Sequence, residues 1–249
     1  MHWQQTQQAL KAKKPVLVAN PLVTDATQLA EFNKLINDGQ SVPVVVDFHR
    51  AWAPFIQKIK EAVSKRRTPM IIQYRMNNTF MSKEQLFQSF GAGRVIGQAA
   101  HAIDLFCYLT DAAPRSISVE SLYASRSDIF PTDNFSAQIS FDDGSVCSLV
   151  FTTLGHQEAG AERMELFYDQ KTIVMDDWQS LYGFGFPSWF NETVTKRDLG
   201  EYAFLQALEK HFKQQGLAPL IPLHRLSQVS ELTLLIDQLV CEGGGQASI

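Results

Sequence analysis

Two kinds of hydrophobic periodicity divide the chain. Up to about residue 47, short apolar runs alternate with helix-spaced apolar positions. Val16-Leu17-Val18 and Val44-Val45-Val46 are continuous apolar runs, the pattern of parallel strands covered on both faces. Between them Leu29, Phe32 and Ile36 recur at i, i+3 and i+7 of a helix that Thr24 can cap and that ends near Gly39. This predicts one βαβ unit, with residues 3–12 as a further short helix on the same sheet.

From about residue 69 the period becomes two. Met70, Ile72, Tyr74 and Met76 alternate with Ile71, Gln73 and Arg75, and Ile117, Val119, Ser121 and Tyr123 follow the same rule. Phe135, Ala137, Ile139 and Phe141 form the clearest strand, followed by Asp143-Gly144, a dipeptide suited to a type I′ hairpin, and by a return strand through Cys147, Leu149 and Phe151. Residues 163–168 and 171–175 fit two more strands. Six strands on hairpin-length connections predict a largely antiparallel sheet with an open or helix-covered face. Helices are expected at 53–64, about 97–110 (Ile96, Ala100, Ile103 and Cys107 on one stripe), about 200–214 (Phe204, Leu208, Phe212) and about 225–241 (Leu226, Val229, Leu232, Ile236, Leu239). Gly243-Gly244-Gly245 predicts a flexible tail over 243–249.

Composition narrows the class. At about 150 residues per domain, 249 residues allow between one and two domains. Hydrophobic residues at 45% and charged residues at 19% exclude a disordered chain or a coiled coil. A net charge of −4 supplies no cationic field for a phosphate backbone, so no nucleic-acid partner is expected. No apolar run approaches the roughly 18 residues of a membrane span, and the start lacks the features of a signal peptide. The expectation is a cytoplasmic globular protein without membrane association. Cys107, Cys147 and Cys241 are widely spaced, read as reduced residues rather than a zinc pair or a disulfide framework.

Candidate chemistry is sparse. Gly91-Ala92-Gly93-Arg94-Val95-Ile96-Gly97 is the one glycine cluster resembling a phosphate cradle. Its preceding segment, Lys83-Glu84-Gln85-Leu86-Phe87, looks helical and its third glycine is displaced, so it reads as a turn feeding a helix N-terminus that could hold an anion or a sugar hydroxyl. On that helix Gln98, His101 and Leu105 share a face, with Asp104 one turn beyond His101. An imidazole with its ordinary pKa of about 6.5 could accept a proton from a hydroxyl there; the plainer reading is a hydrogen-bonded core histidine. No histidine pair has metal spacing and no nucleophile elbow is present, so neither a metal site nor hydrolase chemistry is expected.

Taken in order, several segments resemble the Gfo/Idh/MocA family of NAD(P)-dependent oxidoreductases, which act mainly on sugars, inositols and related polyols. The segment from Ala9 to Leu22, ending Ala19-Asn20-Pro21-Leu22, is similar to the family's stretch ending in Glu-Lys-Pro-Leu. Phe48-His49-Arg50-Ala51-Trp52-Ala53-Pro54 resembles its Phe-Asn-Arg-Arg-Phe-x-Pro crossing into the second domain. Gly93-Arg94-Val95-Ile96-Gly97-Gln98-Ala99-Ala100-His101-Ala102-Ile103-Asp104-Leu105 resembles the Gly-Arg-x-x-Gly-Glu-x-x-His-x-x-Asp-Leu block of a branch near the polysaccharide-sugar dehydrogenases. Asp142-Asp143-Gly144-Ser145, Met175-Asp176-Asp177 and Asp198-Leu199-Gly200 follow in that branch's order.

The resemblance implies an α/β (α+β) chain: a truncated Rossmann-like remnant over 1–47, a C-terminal substrate and dimerisation domain over 48–242 with a largely antiparallel open sheet flanked by helices, and the tail. The family's glycine fingerprint and acidic ribose ligand would precede Met1. No cofactor-binding motif is intact, and no NAD or NADP is expected on the isolated chain. The family's catalytic lysine falls at Asn20, with Ala19 in place of its glutamate; an amide has no titratable proton to exchange. The acid of the helix block corresponds to Gln98, and the late histidine to Glu201. His101 is left as the candidate acid–base group, with Arg50, Asn77, Gln98 and Asp198 as substrate-binding candidates. The expectation is a divergent member, not a competent dehydrogenase alone, with a sugar-type ligand-binding or assembly role and homo-oligomers formed through the open sheet. The alternatives are an active sugar or polyol dehydrogenase whose cofactor domain comes in trans or from a longer product, and a purely structural or regulatory module.

Overall fold

The computed structural model describes residues 2–39, 42–82, 85, 93–123, 130–213 and 219–249. Helix α1 (His2–Lys11) turns Trp3, Thr6 and Leu10 inward. Strand β1 (Val16–Val18), helix α2 (Ala26–Asn37) and strand β2 (Val44–Val46) then form the predicted βαβ unit, with Val16 opposite Val44 in a parallel pair. Two details differ from expectation. The cap of α2 is Asp25, whose carboxylate accepts from the Gln28 N–H at 2.9 Å, because Thr24 is engaged instead with the Gln28 side chain. Only β2 is covered on both faces; Leu17 in β1 is 43% exposed, since the sheet has two strands among the described residues.

Beyond β2 a 3₁₀ turn, His49–Trp52, leads into helix α3 (Pro54–Val63). Pro54 suits this start, because its fixed φ is already helical and the first turn needs no N–H from it. The chain then enters the main sheet with β3 (Ile71–Asn77), followed by β4 (Pro114–Ser121), β5 (Phe135–Phe141), β6 (Val146–Thr152), β7 (Glu162–Tyr168), β8 (Lys171–Asp176), β9 (Ser180–Phe184), β10 (Glu192–Thr193) and β11 (Gly244–Ser248). Among the described residues the spatial order is β10-β9-β8-β7-β3-β6-β5-β4-β11. Every pairing is antiparallel except β3 with β6.

The strand alternation sorts the two faces. Ile72, Tyr74, Met76, Val119, Ile139, Phe141, Leu149, Phe151, Leu166 and Met175 point into one core, whereas Ile71, Val150, Phe167, Tyr182 and Phe184 stand on the other, open face. Helices α4 (Ala100–Thr110), α5 (Glu201–Lys213) and α6 (Leu223–Cys241) complete the chain. The Tyr74 and Phe106 rings meet edge to face at 6.2 Å, fixing α4 over β3. The predicted stripe on α6 is buried throughout, but on α5 it is His211 rather than Phe212 that turns inward beside Phe204 and Leu208.

Three local expectations change. At Asp143-Gly144 only Gly144 has positive φ (+85°), and its N–H donates to the Phe141 carbonyl. The loop is therefore a type I turn closed by a left-handed glycine rather than a type I′ pair. Two positive-φ residues in succession occur instead at Asp169-Gln170 and Asp177-Trp178, without glycine. Residues 243–249, expected as a flexible tail, supply β11, which pairs along β4 from Gly244 opposite Glu120 to Ser248 opposite Ser116. The helix expected around Lys83–Phe87 falls largely outside the described residues, with only Gln85 described and helical.

Gly200 locks α5 onto the turn after β2. A Cβ there would lie 2.4 Å from the Ala53 nitrogen and 2.6 Å from the His49 carbonyl oxygen, at φ +91°. Gly200→Ala is expected to destabilise the chain by roughly 2–4 kcal/mol, from backbone strain plus the collision. A urea-unfolding midpoint unchanged from wild type would contradict this packing.

Candidate functional site

The C-terminal ends of β1 and β2 bring two short segments against the helical run that begins at Gly93. After β1 comes Asn20; after β2 come Asp47, Phe48, His49 and Arg50. Opposite them, residues Val95–Ala99 form a π-helical turn that leads directly into α4 and His101. The wider π register alters which N–H groups meet the carbonyls of that turn. The Asn20 side-chain amide supplies donors, to Ile96 O and Gly97 O, each at 3.1 Å. Asn20 is therefore a clamp between the β1 loop and the π turn.

His101 is half-buried beside this clamp. Its ring lies edge-on to Phe48 at 5.9 Å and tilted to His49 at 5.4 Å, and its Nδ1 is buried without a hydrogen-bond partner. Burial is the main cause that pushes its pKa down from 6.5 to about 3; the Arg50 and His49 charges add to the effect, and Asp47 opposes it. His101 is thus neutral near pH 7. Its neighbour His49 holds Asp47 through Nδ1 at 2.9 Å, with Nε2 3.9 Å from Glu201 on α5. The hydrogen bond from His49 holds the Asp47 carboxyl below its usual range. The family-like Phe48-His49-Arg50 stretch drew attention to this segment, but not to Asp47 or to the pairing. An acid two residues before a histidine at a strand end was the available signal.

The remaining predicted residues are placed as follows. Arg50 turns away toward Glu162, donating through Nη1 at 2.8 Å, and the same Glu162 oxygen receives the Tyr74 hydroxyl and, at 2.9 Å, the Trp178 indole N–H. The guanidinium also lies 5.7 Å from the Trp178 ring centre. Gln98 sits on the π turn, its Oε1 accepting from Arg94 Nε at 2.9 Å. Arg94 in turn pairs with the buried Asp133. Asn77, at the end of β3, is spent on loop closure: its Nδ2 donates to His156 O at 2.9 Å, and a Cβ on Gly155 would come within 2.3 Å of its Oδ1. Asp198 is exposed and accepts from the Gly200 N–H at 2.8 Å, an Asx-type turn ahead of α5. The structure thus gathers Asn20, Gln98 and His101, brings Arg50 alongside with its head group engaged, and holds Asn77 and Asp198 in loop contacts of their own.

One turn beyond His101, Asp104 is buried between α4 and α6 with Arg225 Nε 3.1 Å from its Oδ1. Burial raises its pKa from 3.8 to about 6, against the opposing Arg225 charge. Among the described residues no three His, Cys, Asp or Glu side chains converge as a metal site would. No helix among them is long and apolar enough to cross a membrane. Of the glycine cluster considered as a cradle, Gly91 and Ala92 lie outside the described residues.

Residues 56–174 match the profile of the GFO/IDH/MocA C-terminal domain. No curated protein sequence matches the chain. Among solved structures, the fold is similar to the WlbA dehydrogenase from Bordetella pertussis in complex with NADH and UDP-GlcNAcA (TM-score 0.74, 15% identity, 100% of this chain and 76% of that one). It is also similar to the UDP-N-acetylglucosamine 3-dehydrogenase GnnA from Acidithiobacillus ferrooxidans (TM-score 0.72, 18% identity, 95% and 74%). GenD2 from gentamicin A biosynthesis, in complex with NAD, aligns at TM-score 0.73 and 17% identity over 100% and 75%. At these identities the likeness is one of fold.

The two perturbed groups on α4 have opposite linkage. For His101, with a folded pKa depressed to about 3, stability is full above 6.5 and falls as pH drops through that range, because only the unfolded chain binds the proton. For Asp104, raised to about 6, the contribution is present below 3.8 and is lost as pH rises through 6. His101→Gln is expected to shrink the loss of stability between pH 7 and pH 4.5, and Asp104→Asn to enlarge it, in urea unfolding at both pH values. Equal pH slopes in wild type and His101→Gln would refute the burial of that imidazole.

Proposed function

Since this chain belongs to the GFO/IDH/MocA family through the C-terminal domain at residues 56–174, we propose that it binds a sugar- or polyol-type small molecule at the Asn20–His49–His101 crevice and is not a competent dehydrogenase by itself. The observation that carries this reading is the state of Asn20. It stands where the family resemblance places a proton-transferring lysine, and its amide is already committed to Ile96 and Gly97. An amide does not titrate near neutrality, and one that clamps a helix turn is not free to follow a reacting hydroxyl. Crevices outside the carboxyl ends of parallel strands are the usual ligand positions in α/β sheets. The neutral imidazole of His101 there suits a hydroxyl-rich ligand. The UDP-sugar names carried by the Bordetella and Acidithiobacillus proteins support a sugar-nucleotide ligand among these.

Assembly is the second part of the reading. Ile71 and Phe167 are directly paired across β3 and β7 on the open face, Phe184 and Tyr182 continue that exposed row past Thr172, and Val150 stands on the same face beside Arg75. Exposed apolar side chains on an open sheet face suit an interaction surface, and a second copy of the chain is its proposed occupant.

One observation favours an active enzyme completed by another segment, in trans or within a longer product. Parallel sheets are normally larger and covered on both faces, yet among the described residues β1 pairs only with β2 and leaves Leu17 exposed. Under this reading the cofactor segment adds to that edge, and His101 remains at the crevice.

Titration calorimetry on the full chain with UDP-N-acetylglucosamine, myo-inositol and NADH separates the readings. Saturable binding of either of the first two without NADH binding is expected; micromolar NADH binding by the chain alone would overturn the proposal. Sedimentation equilibrium tests assembly. Wild type should sediment as a dimer or larger and Ile71→Glu as a monomer, whereas a monomeric wild type at tens of micromolar would remove the assembly role.

A further inference from the structure

The pair formed by Asp47 and His49 has the geometry of an oriented proton acceptor. Asp47 is fixed from behind, because its backbone N–H continues the parallel ladder to the Val18 carbonyl at 2.9 Å. Its carboxylate meets Nδ1 of His49 at 2.9 Å. Ionised carboxylates only accept, so Nδ1 carries the hydrogen, and when the ring carries a single hydrogen its lone pair lies on Nε2. The His49 side chain is 15% exposed. Its backbone is held by the close approach of Gly200, and the ring rests against His101 at 5.4 Å. It is the only histidine among the described residues with a side-chain hydrogen bond to a carboxylate.

We propose that His49, oriented by Asp47, is the group in this crevice that accepts a hydrogen bond from a ligand hydroxyl through Nε2, and that Asp47 is its positioning residue. This rests on the ligand-binding reading above and deepens it. The neighbouring groups divide the work. His101, half-buried and beside the Arg50 charge, stays neutral and serves as a packing and hydrogen-bonding surface, while Asn20 and Gln98 are occupied by Ile96, Gly97 and Arg94. The charged or titratable groups facing His49 are Asp47 from the end of β2, Glu201 from α5, and His101 from α4; Arg50 follows in the same turn. A hydroxyl donating to Nε2 would share that nitrogen's surroundings with Glu201, 3.9 Å away, whose carboxylate can accept from a second hydroxyl of the same ligand. The ligand class that satisfies both is a vicinal diol, as found in a pyranose or an inositol.

Side-chain ¹⁵N NMR of the histidines in the full chain, with and without UDP-N-acetylglucosamine or myo-inositol, tests this directly. Where the ring carries a single hydrogen, the expected result is His49 in the Nδ1–H tautomer, a shift of its Nε2 resonance on adding whichever probe binds, and a population of the Nε2–H tautomer appearing in Asp47→Asn. His49→Gln should weaken that probe by about tenfold, the scale of one lost hydrogen bond at a desolvated site. A wild-type His49 in the Nε2–H form, or an Nε2 resonance that ignores a bound probe, overturns the proposal. If neither probe binds the wild type, the ligand-binding reading falls on its own. The tautomer arm then still judges the dyad: the Nδ1–H form that changes in Asp47→Asn supports it, and the Nε2–H form ends it. Because the tautomer is read in the wild type, the proposal stays testable even if His49→Gln does not fold.

Discussion

One carboxylate oxygen organises the junction on which the crevice depends. Glu162 Oε2 receives the Arg50 guanidinium, the Tyr74 hydroxyl and the Trp178 indole N–H. These donors come from the turn after β2, from β3 and from the β8–β9 turn, so a single acceptor ties the βαβ unit to the middle of the large sheet. Burying a carboxylate is expensive unless its lone pairs are used, and truncating one partner of such a pair leaves the other charge stranded. Tyr74 illustrates the cost: burial first, then the adjacent Glu162 charge, raises its hydroxyl pKa well above the usual value, so it remains a donor. The turn carrying His49 is placed by Arg50 on one side and by Gly200 on the other, and neither contact involves a ligand.

The helix that supplies His101 puts two titratable groups one turn apart in unlike surroundings. His101 faces the positive side of Arg50 and the rings of Phe48 and His49, whereas Asp104 faces Arg225 across the α4–α6 interface. Desolvation disfavours the charged form of both, so burial lowers the pKa of the imidazole and raises that of the carboxyl. Near neutrality the helix therefore presents an uncharged edge to the crevice and an ionised carboxylate to its structural partner. The division follows from which neighbours each side chain meets, not from the two residue types.

How far the sequence could be read depended on the range of the interaction. The strand alternation of β5 and β6 and the stripe on α6 were legible because burial on one face imposes a local period. The turn at Asp143-Gly144 was located correctly but typed wrongly, since the sign of φ at Asp143 is set by the loop length and not by the dipeptide. β11 was missed because three successive glycines carry no hydrophobic pattern; the pairing that orders them is with β4, more than a hundred residues earlier. At the crevice, His101 and Asn20 could be singled out from short motifs. The capture of Arg50 by Glu162 spans 112 residues, and the closure of the 155–160 loop by Asn77 spans 79, so neither engagement was visible in any local window. The Asp47 and His49 pair was local, yet it was hidden inside a stretch read for its likeness alone.

The Asn20 clamp has a mechanical meaning beyond its chemistry. Val18 ends β1, and two residues later the Asn20 amide grips the carbonyls of Ile96 and Gly97, five and four positions ahead of His101. The outer edge of β1 and the imidazole are thus the two ends of a short lever whose pivot is a pair of hydrogen bonds to a π turn, a register already wider than an ordinary helix and close to its alternatives. The strand of the parallel pair whose outer edge has no partner among the described residues is therefore joined to the helix of His101 by those two bonds.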